Sequence, residues 1–279
     1  RRQRQMCIRD RPYITPEGIS RHIDFYDRRV DLDELDVSNV AYETIGAGLS
    51  FGIPVTENDR VFLGMRLEQT KVDLRGSNPE GGWYDEENTS PQRYWDYVDE
   101  YGDNPKAALL TLGWSRDTRD NVLAPTRGRY QRLSAEFALP VWEQRYYRAT
   151  YQLTQYFPLS KSWTLGMNFQ FGYGDTYGDK MFPFFKNFYA GGIGSVRGFE
   201  TSSIGPRDAY NNDRLGGDRQ LIFSTELLTP LPGADRTLRG LLFFDAGTVW
   251  GYSRDNYQDG YYRCLLYTSP SPRDMRRSR

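Results

Sequence analysis

Histidine and cysteine are nearly absent from this 279-residue chain, which has one of the first, His22, and two of the second, Cys7 and Cys264. A single imidazole excludes a histidine cluster. Two isolated thiols without neighbouring histidines lack the ligand count of a zinc site. No metal and no cofactor are expected. Net charge is also lacking, because 36 basic side chains face 37 acidic ones. A balanced chain has no electrostatic footprint for nucleic acid. Long apolar runs are missing too: no stretch of eighteen apolar residues occurs, and that excludes a transmembrane helix. It does not exclude a transmembrane β-barrel. In such a barrel, lipid-facing residues alternate with polar lumen residues and the hydropathy signal of each segment stays weak.

What the chain does have is 21 tyrosines and 27 glycines. Aromatic girdles and crowded, curved sheets use both, as does a soluble β-sandwich. The clearest periodic segment is TLGMNFQFGYG. Leu165, Met167, Phe169, Phe171 and Tyr173 share one face of it; Thr164, Gly166, Asn168, Gln170, Gly172 and Gly174 share the other. This is a strand with one apolar side and one small, polar side. YETIGAGLSFGIP sets Ile45, Ala47, Leu49, Phe51 and Ile53 against Thr44, Gly46, Gly48, Ser50 and Gly52 in the same way. YRATYQLTQ sets Tyr147, Ala149, Tyr151 and Leu153 against Arg148, Thr150, Gln152 and Thr154. Rougher alternation covers 18–30, 60–72, 107–117, 129–139, 218–229 and 238–249.

The reading is all-β, with roughly nine strands, several of them ten residues or longer. That length suits a tilted membrane-crossing strand better than a globular strand of about five or six residues. Short turns at 55–59, 158–161 and 230–237 and a moderate one at 118–128 alternate with long segments at 31–41, 73–106 and 175–217. The link at 140–144 is short and breaks the trend. Alternation alone does not separate a sandwich from a barrel. Strand length and loop asymmetry favour a transmembrane antiparallel β-barrel. Within 73–106, PQRYWDYVDEYG is spaced either as a short amphipathic helix in an outer loop or as an aromatic loop.

Both ends stand apart. Residues 1–11 and 264–279 are basic, lack any strand or helix period and hold both cysteines. They are similar to read-through of sequencing adaptors and are set aside as non-native tails, which leaves 12–263 as the partial barrel.

Two chemical readings fail on context. GGIGSVRG nearly spells a dinucleotide fingerprint, but Gly192, Gly194 and Gly198 are spaced one residue too long and no βαβ unit surrounds them. A barrel hydrolase needs a positioned base. His22 sits beside a strand and reads as a rim or lumen residue, and Asp24 and Asp27 read as solvated carboxylates.

The segment FYAGGIGSVRGFETSSIGPR closely resembles the long barrel loop of the Omp85 superfamily, and its tetrad Val196, Arg197, Gly198 and Phe199 is the most diagnostic stretch. STELLTPLPG and LLFFDAGTVWG resemble the two following strands, and NVLAPTRGRY an earlier turn, all in the right order. The resemblance implies that this loop folds back into the barrel lumen. Arg197 would there meet two inward carboxylates, Glu226 and Asp245. The alternation agrees, since Ser224 and Glu226 oppose Phe223, Thr225 and Leu227, while Asp245 and Gly247 oppose Phe244 and Ala246.

The resemblance further implies a non-enzymatic role in the bacterial outer membrane. The chain would be a fragment of the barrel subunit that folds and inserts outer-membrane β-barrels. Its partners would be membrane lipid, the machinery's lipoproteins, periplasmic chaperones and unfolded client barrels, with no nucleic acid. Other family members remain as alternatives, namely a translocation-and-assembly subunit or a two-partner secretion pore. A passive porin or a barrel hydrolase is the alternative from outside the family. About nine of the family's sixteen strands are legible, by order the fifth to the thirteenth. The chain is therefore expected to be an incomplete barrel without the seam strands and POTRA domains. An open sheet with unpaired edges is not expected to be stable in lipid by itself.

Overall fold

A computed structural model describes residues 18–35, 37–78, 89–178, 180–208, 211–230 and 239–251, and the backbone of 263–267. The described residues form one antiparallel sheet in which each strand pairs with the next in sequence. Its strands are β1 (Ser20–Asp31), β2 (Val40–Pro54), β3 (Asp59–Leu74), β4 (Lys106–Asp117), β5 (Gly128–Leu139), β6 (Tyr146–Pro158), β7 (Thr164–Thr176), β8 (Arg219–Pro230), β9 (Arg239–Trp250) and β10 (Arg263–Tyr267). The first nine run 12 to 16 residues, well beyond ordinary globular strands. β1 and β10 are the edges of the sheet, so it is an open wall of barrel type. The tails set aside at 1–11 and 264–279 lie outside the described residues, except that β10 takes in the backbone of Cys264 to Tyr267.

The two faces differ in sign as the alternation requires. Ile53 stands opposite Val61, Val61 opposite Trp114, Trp114 opposite Leu133, Leu133 opposite Tyr151, Tyr151 opposite Phe171 and Phe171 opposite Leu221. This apolar row crosses seven strands on the outer face. Many outward side chains are left uncovered, among them Phe25, Ile45, Met65, Leu67, Leu112 and Leu133. A soluble sheet would bury such a face against a second layer. The inner row is polar or small: Arg132 stands opposite Gln152, Gln152 opposite Gln170, and Ser134 opposite Thr150. The sandwich alternative therefore has its faces the wrong way round.

The connections sort by rim. β2–β3 and β6–β7 turn within a few residues and β4–β5 within ten at one rim, while the long 75–105 and 177–218 connections leave the other. The short 140–145 link belongs to the long-loop rim. In the β4–β5 turn, the Asp120 carboxylate accepts hydrogen bonds from the Thr126 hydroxyl and from the backbone N–H groups of Thr126 and Arg127. The Thr126 hydroxyl is the largest cause holding the Asp120 carboxyl at about 2, below its ordinary 3.8. A depressed carboxyl stabilises the fold fully above its unfolded value, and that contribution is lost as pH falls through the folded value. The turn's contribution should begin to fall below pH 3.8 and be gone once the pH is below about 2. An NMR titration of the Asp120 carboxyl checks this: a midpoint near 2 is expected, and one near 4 contradicts the hydrogen-bonded turn.

The aromatic segment resolves as a helix, α1 (Gln92–Tyr101), ended by Gly102 at φ 76°. Tyr94, Tyr97 and Tyr101 fall on one face by helical spacing and are buried. They pack with Leu32, Val37, Val40, Val72, Phe184 and Leu215, so three connections of the long-loop rim share one core. The Phe184 ring stacks on Tyr94 at 4.1 Å and meets Tyr97 edge-on at 5.5 Å. This core anchors the outer part of the 177–218 connection.

Candidate functional site

The 177–218 connection runs back along the inner face of the wall. A bridge between Phe188 and Gly217 closes its base, and one between Ala190 and Ile204 closes the inner lobe. Within the lobe, the Gly192 N–H donates to the Phe199 carbonyl at 3.1 Å and the Gly191 N–H to the Ser195 hydroxyl at 3.2 Å. Gly191, Gly192 and Gly198 take φ of 114°, 89° and 84°, a region that side chains with a Cβ disfavour. The lobe is thus a tight turn that places the tetrad against the wall.

Bare glycines on the inner rows let the lobe approach closely. A Cβ on Gly247 would lie 2.6 Å from Val196 Cγ2, and one on Gly172 2.6 Å from the Phe188 ring. Val196 is fully buried with Ala190, Ile204, Ile222 and Val249, and Phe199 packs beside them.

Arg197 reaches down between β8 and β9. Its Nε donates to Asp245 Oδ2 at 2.7 Å and its Nη2 to Asp245 Oδ1 at 2.7 Å, a two-pronged pair. Nη1 donates to Glu226 Oε1 at 2.6 Å. The Arg197 backbone N–H also donates to Asp245 Oδ2 at 3.0 Å, so the carboxylate grips both side chain and main chain. Asp245 has no exposed surface. Such a group requires a partner charge and further hydrogen bonds. The Ser224 hydroxyl supplies one, donating to Asp245 Oδ1 at 2.5 Å while accepting from Arg197 Nη2 at 3.0 Å. The guanidinium lies 3.7 Å from the centroid of the Phe243 ring. The hydrogen bonds that Arg197 donates to Asp245, followed by the two negative charges, raise the Arg197 pKa further above its ordinary value.

The structure therefore brings Arg197, Glu226 and Asp245 together and sets Val196, Gly198 and Phe199 around them. Sequence reasoning set Ser224 on the inward face without giving it a role, and missed Phe243. Both carried a signal, since each shares the inward parity of its strand with Glu226 or Asp245. His22, Asp24 and Asp27 lie on β1, seven strands from β8 in the sheet order, and are not part of this cluster. His22 and Asp24 stand opposite Ser50 and Gly48 in the inner row, and Asp27 opposite Ile45 in the outer row. Among the described residues no group of His, Cys, Asp and Glu has the makings of a metal site.

The model of the Omp85 superfamily domain matches residues 10–264. Outer membrane protein assembly factor BamA of Neisseria meningitidis serogroup B is 40% identical over 255 residues, covering 86% of this chain and 30% of that protein. BamA of Nitratidesulfovibrio vulgaris is 28% identical over 258 residues, with 84% and 30% covered. A SAM50-like protein of Schizosaccharomyces pombe is 33% identical over 175 residues, with 60% and 36% covered. The crystal structure of BamA from Haemophilus ducreyi lacking POTRA domains 1–3 superposes with a TM-score of 0.72 at 25% identity, covering 87% of this chain and 48% of that one. The chain spans about a third of the length of the curated relatives it matches.

Proposed function

Since the chain belongs to the Omp85 superfamily, we propose that it is part of the barrel wall of an outer-membrane protein assembly factor. That factor folds and inserts β-barrel proteins into the outer membrane of a Gram-negative bacterium. The observation that carries this reading is the inward loop, whose Arg197 is held by Glu226 and Asp245 inside a wall with an apolar exterior. The assembly task requires no bond-making chemistry: it is the binding of unfolded strands and their release into lipid. Unfolded barrel clients are the substrates. Lipoproteins of the same machinery and periplasmic chaperones are its partners, and lipid contacts the outer row.

The 40% identity to a BamA favours the assembly factor over a translocation subunit or a secretion pore of the same superfamily. The test uses the complete gene product in vesicles of outer-membrane lipid. Urea-unfolded client barrel should become protease-resistant faster in those vesicles than in empty ones. Equal rates, with ion conductance through the protein, would identify a pore instead.

A further inference from the structure

The long loop has a second ionic contact with the wall, far from its tetrad. The chain enters the lumen through a 3-10 turn at Phe184–Lys186. Phe184 and Phe185 of this turn pack upward on Tyr97, and Phe185 also meets Tyr42 of β2. Lys186 points the other way. Its Nζ donates to Glu68 Oε2 of β3 at 2.8 Å and lies 3.3 Å from Glu136 Oε1 of β5. β4 runs between those strands and presents Ala107, 2% exposed, opposite Glu68. Glu136 stands opposite Thr111 of the same strand, so the ammonium spans β4 on a diagonal.

All three charged side chains are largely covered, at 13%, 7% and 17% exposure. Neighbouring groups complete the cluster. The Tyr26 hydroxyl of β1 donates to Glu68 Oε1 at 2.5 Å, and the Tyr146 hydroxyl of β6 donates to Glu136 Oε1 at 2.7 Å. Arg66 lies 3.8 Å from Glu68. The Arg148 guanidinium sits 4.1 Å over the Phe188 ring of the same loop limb. Nearly every inner-face group here is therefore committed to holding the limb or its counter-charges.

We propose that Lys186 is a second positioning residue of the lumen loop. By bridging Glu68 and Glu136 it fixes the incoming limb to the β3–β6 side of the wall, while Arg197 fixes the tip to β8 and β9. A loop held at both ends is a strut between two sectors of the barrel. The tip then cannot swing about the Arg197 contact alone. A bland role would be charge compensation only, with Lys186 neutralising two wall carboxylates and leaving the tip indifferent.

The two roles separate in a variant that removes all three charges together. In the complete gene product, cleared of other cysteines, a nitroxide is placed at Ile193→Cys, a tip position 93% exposed. Lys186→Met alone leaves two covered carboxylates facing each other and should destabilise the barrel. Lys186→Met with Glu68→Gln and Glu136→Gln removes that repulsion and should restore thermal stability. The strut predicts that this neutral variant still shows a several-fold larger mobile fraction in the nitroxide spectrum and a several-fold slower client insertion. Lys186→Arg, which keeps the bridge, should restore both. A neutral variant with the parent's spectrum and insertion rate overturns the proposal. The insertion readout rests on the assembly function proposed above, whereas the spectrum does not. A parent that fails to insert clients therefore counts against that function and leaves the strut to be decided by the spectrum.

Discussion

Arg197→Ala should destabilise the barrel by about 3–5 kcal/mol, the cost of leaving a buried charge without its partner. Asp245 has no exposed surface and would keep only the Ser224 hydroxyl and the Arg197 backbone N–H. Glu226, with its side chain 34% exposed, is partly screened by water and contributes the smaller share. Arg197→Lys should recover little, because an ammonium cannot make the two-pronged contact to Asp245 or lie flat on Phe243. Arg197→Ala with Asp245→Asn should recover more than the lysine variant does, since it removes the orphaned charge. Urea unfolding of the complete gene product in lipid vesicles measures all three. If Arg197→Ala and the parent unfold at the same urea concentration, the cluster does not hold the loop.

Two adjacent substitutions should differ sharply. Leu133 lies mid-strand in β5, 41% exposed on the outer row. Leu133→Arg should cost about 2–4 kcal/mol, as for a basic side chain facing lipid near the bilayer centre. Ser134 is the next residue and faces the polar inner row beside Thr150 and Arg132. Ser134→Arg should cost well under about 1 kcal/mol, in the range of ordinary surface changes. The contrast tests which face meets lipid, independently of any loop. Equal costs would mean that the outer row is not in contact with hydrocarbon.

The nine long strands were legible because each separates an apolar from a polar surface, which imposes a strict period of two on the sequence. The sign of that separation was not. TLGMNFQFGYG reads the same whether Phe169 and Phe171 face a core or lipid. Only the exposed outer row of the assembled sheet decides it. Boundaries slipped where a loop residue continued the period, so that Val40 and Ala41, read within a long connection, begin β2. The tetrad and its two carboxylates were legible through family resemblance plus parity. Ser224 and Phe243 had the same parity but no charge to draw notice.

Lys186 was not legible at all. A lone lysine in an aromatic loop has no period, and its partner Glu68 lies 118 residues away. The glycines gave a signal that was only half read. Gly172 and Gly247 read as small inner-face residues in the sequence, and in the structure they mark where the loop's Phe188 and Val196 touch the wall. The helix was left open between two readings because tyrosines at three- and four-residue spacing suit a helix face or a loop cluster alike. The apolar core shared with Phe184 and Leu215 decides between them.

The account stands on the tetrad lying against the inner face of β9. The most direct measurement is disulfide trapping between Val196→Cys and Gly247→Cys, because a Cβ at 247 would lie 2.6 Å from Val196 Cγ2, closer than non-bonded atoms pack and within reach of a covalent bridge. It is made in the complete gene product cleared of other cysteines, oxidised in its native membrane and read by gel mobility before and after reduction. The account predicts near-complete cross-linking in the folded barrel and none after unfolding. If the folded barrel does not cross-link while a membrane-impermeant thiol reagent added from outside labels Cys at position 196, the loop projects outward and the account is contradicted.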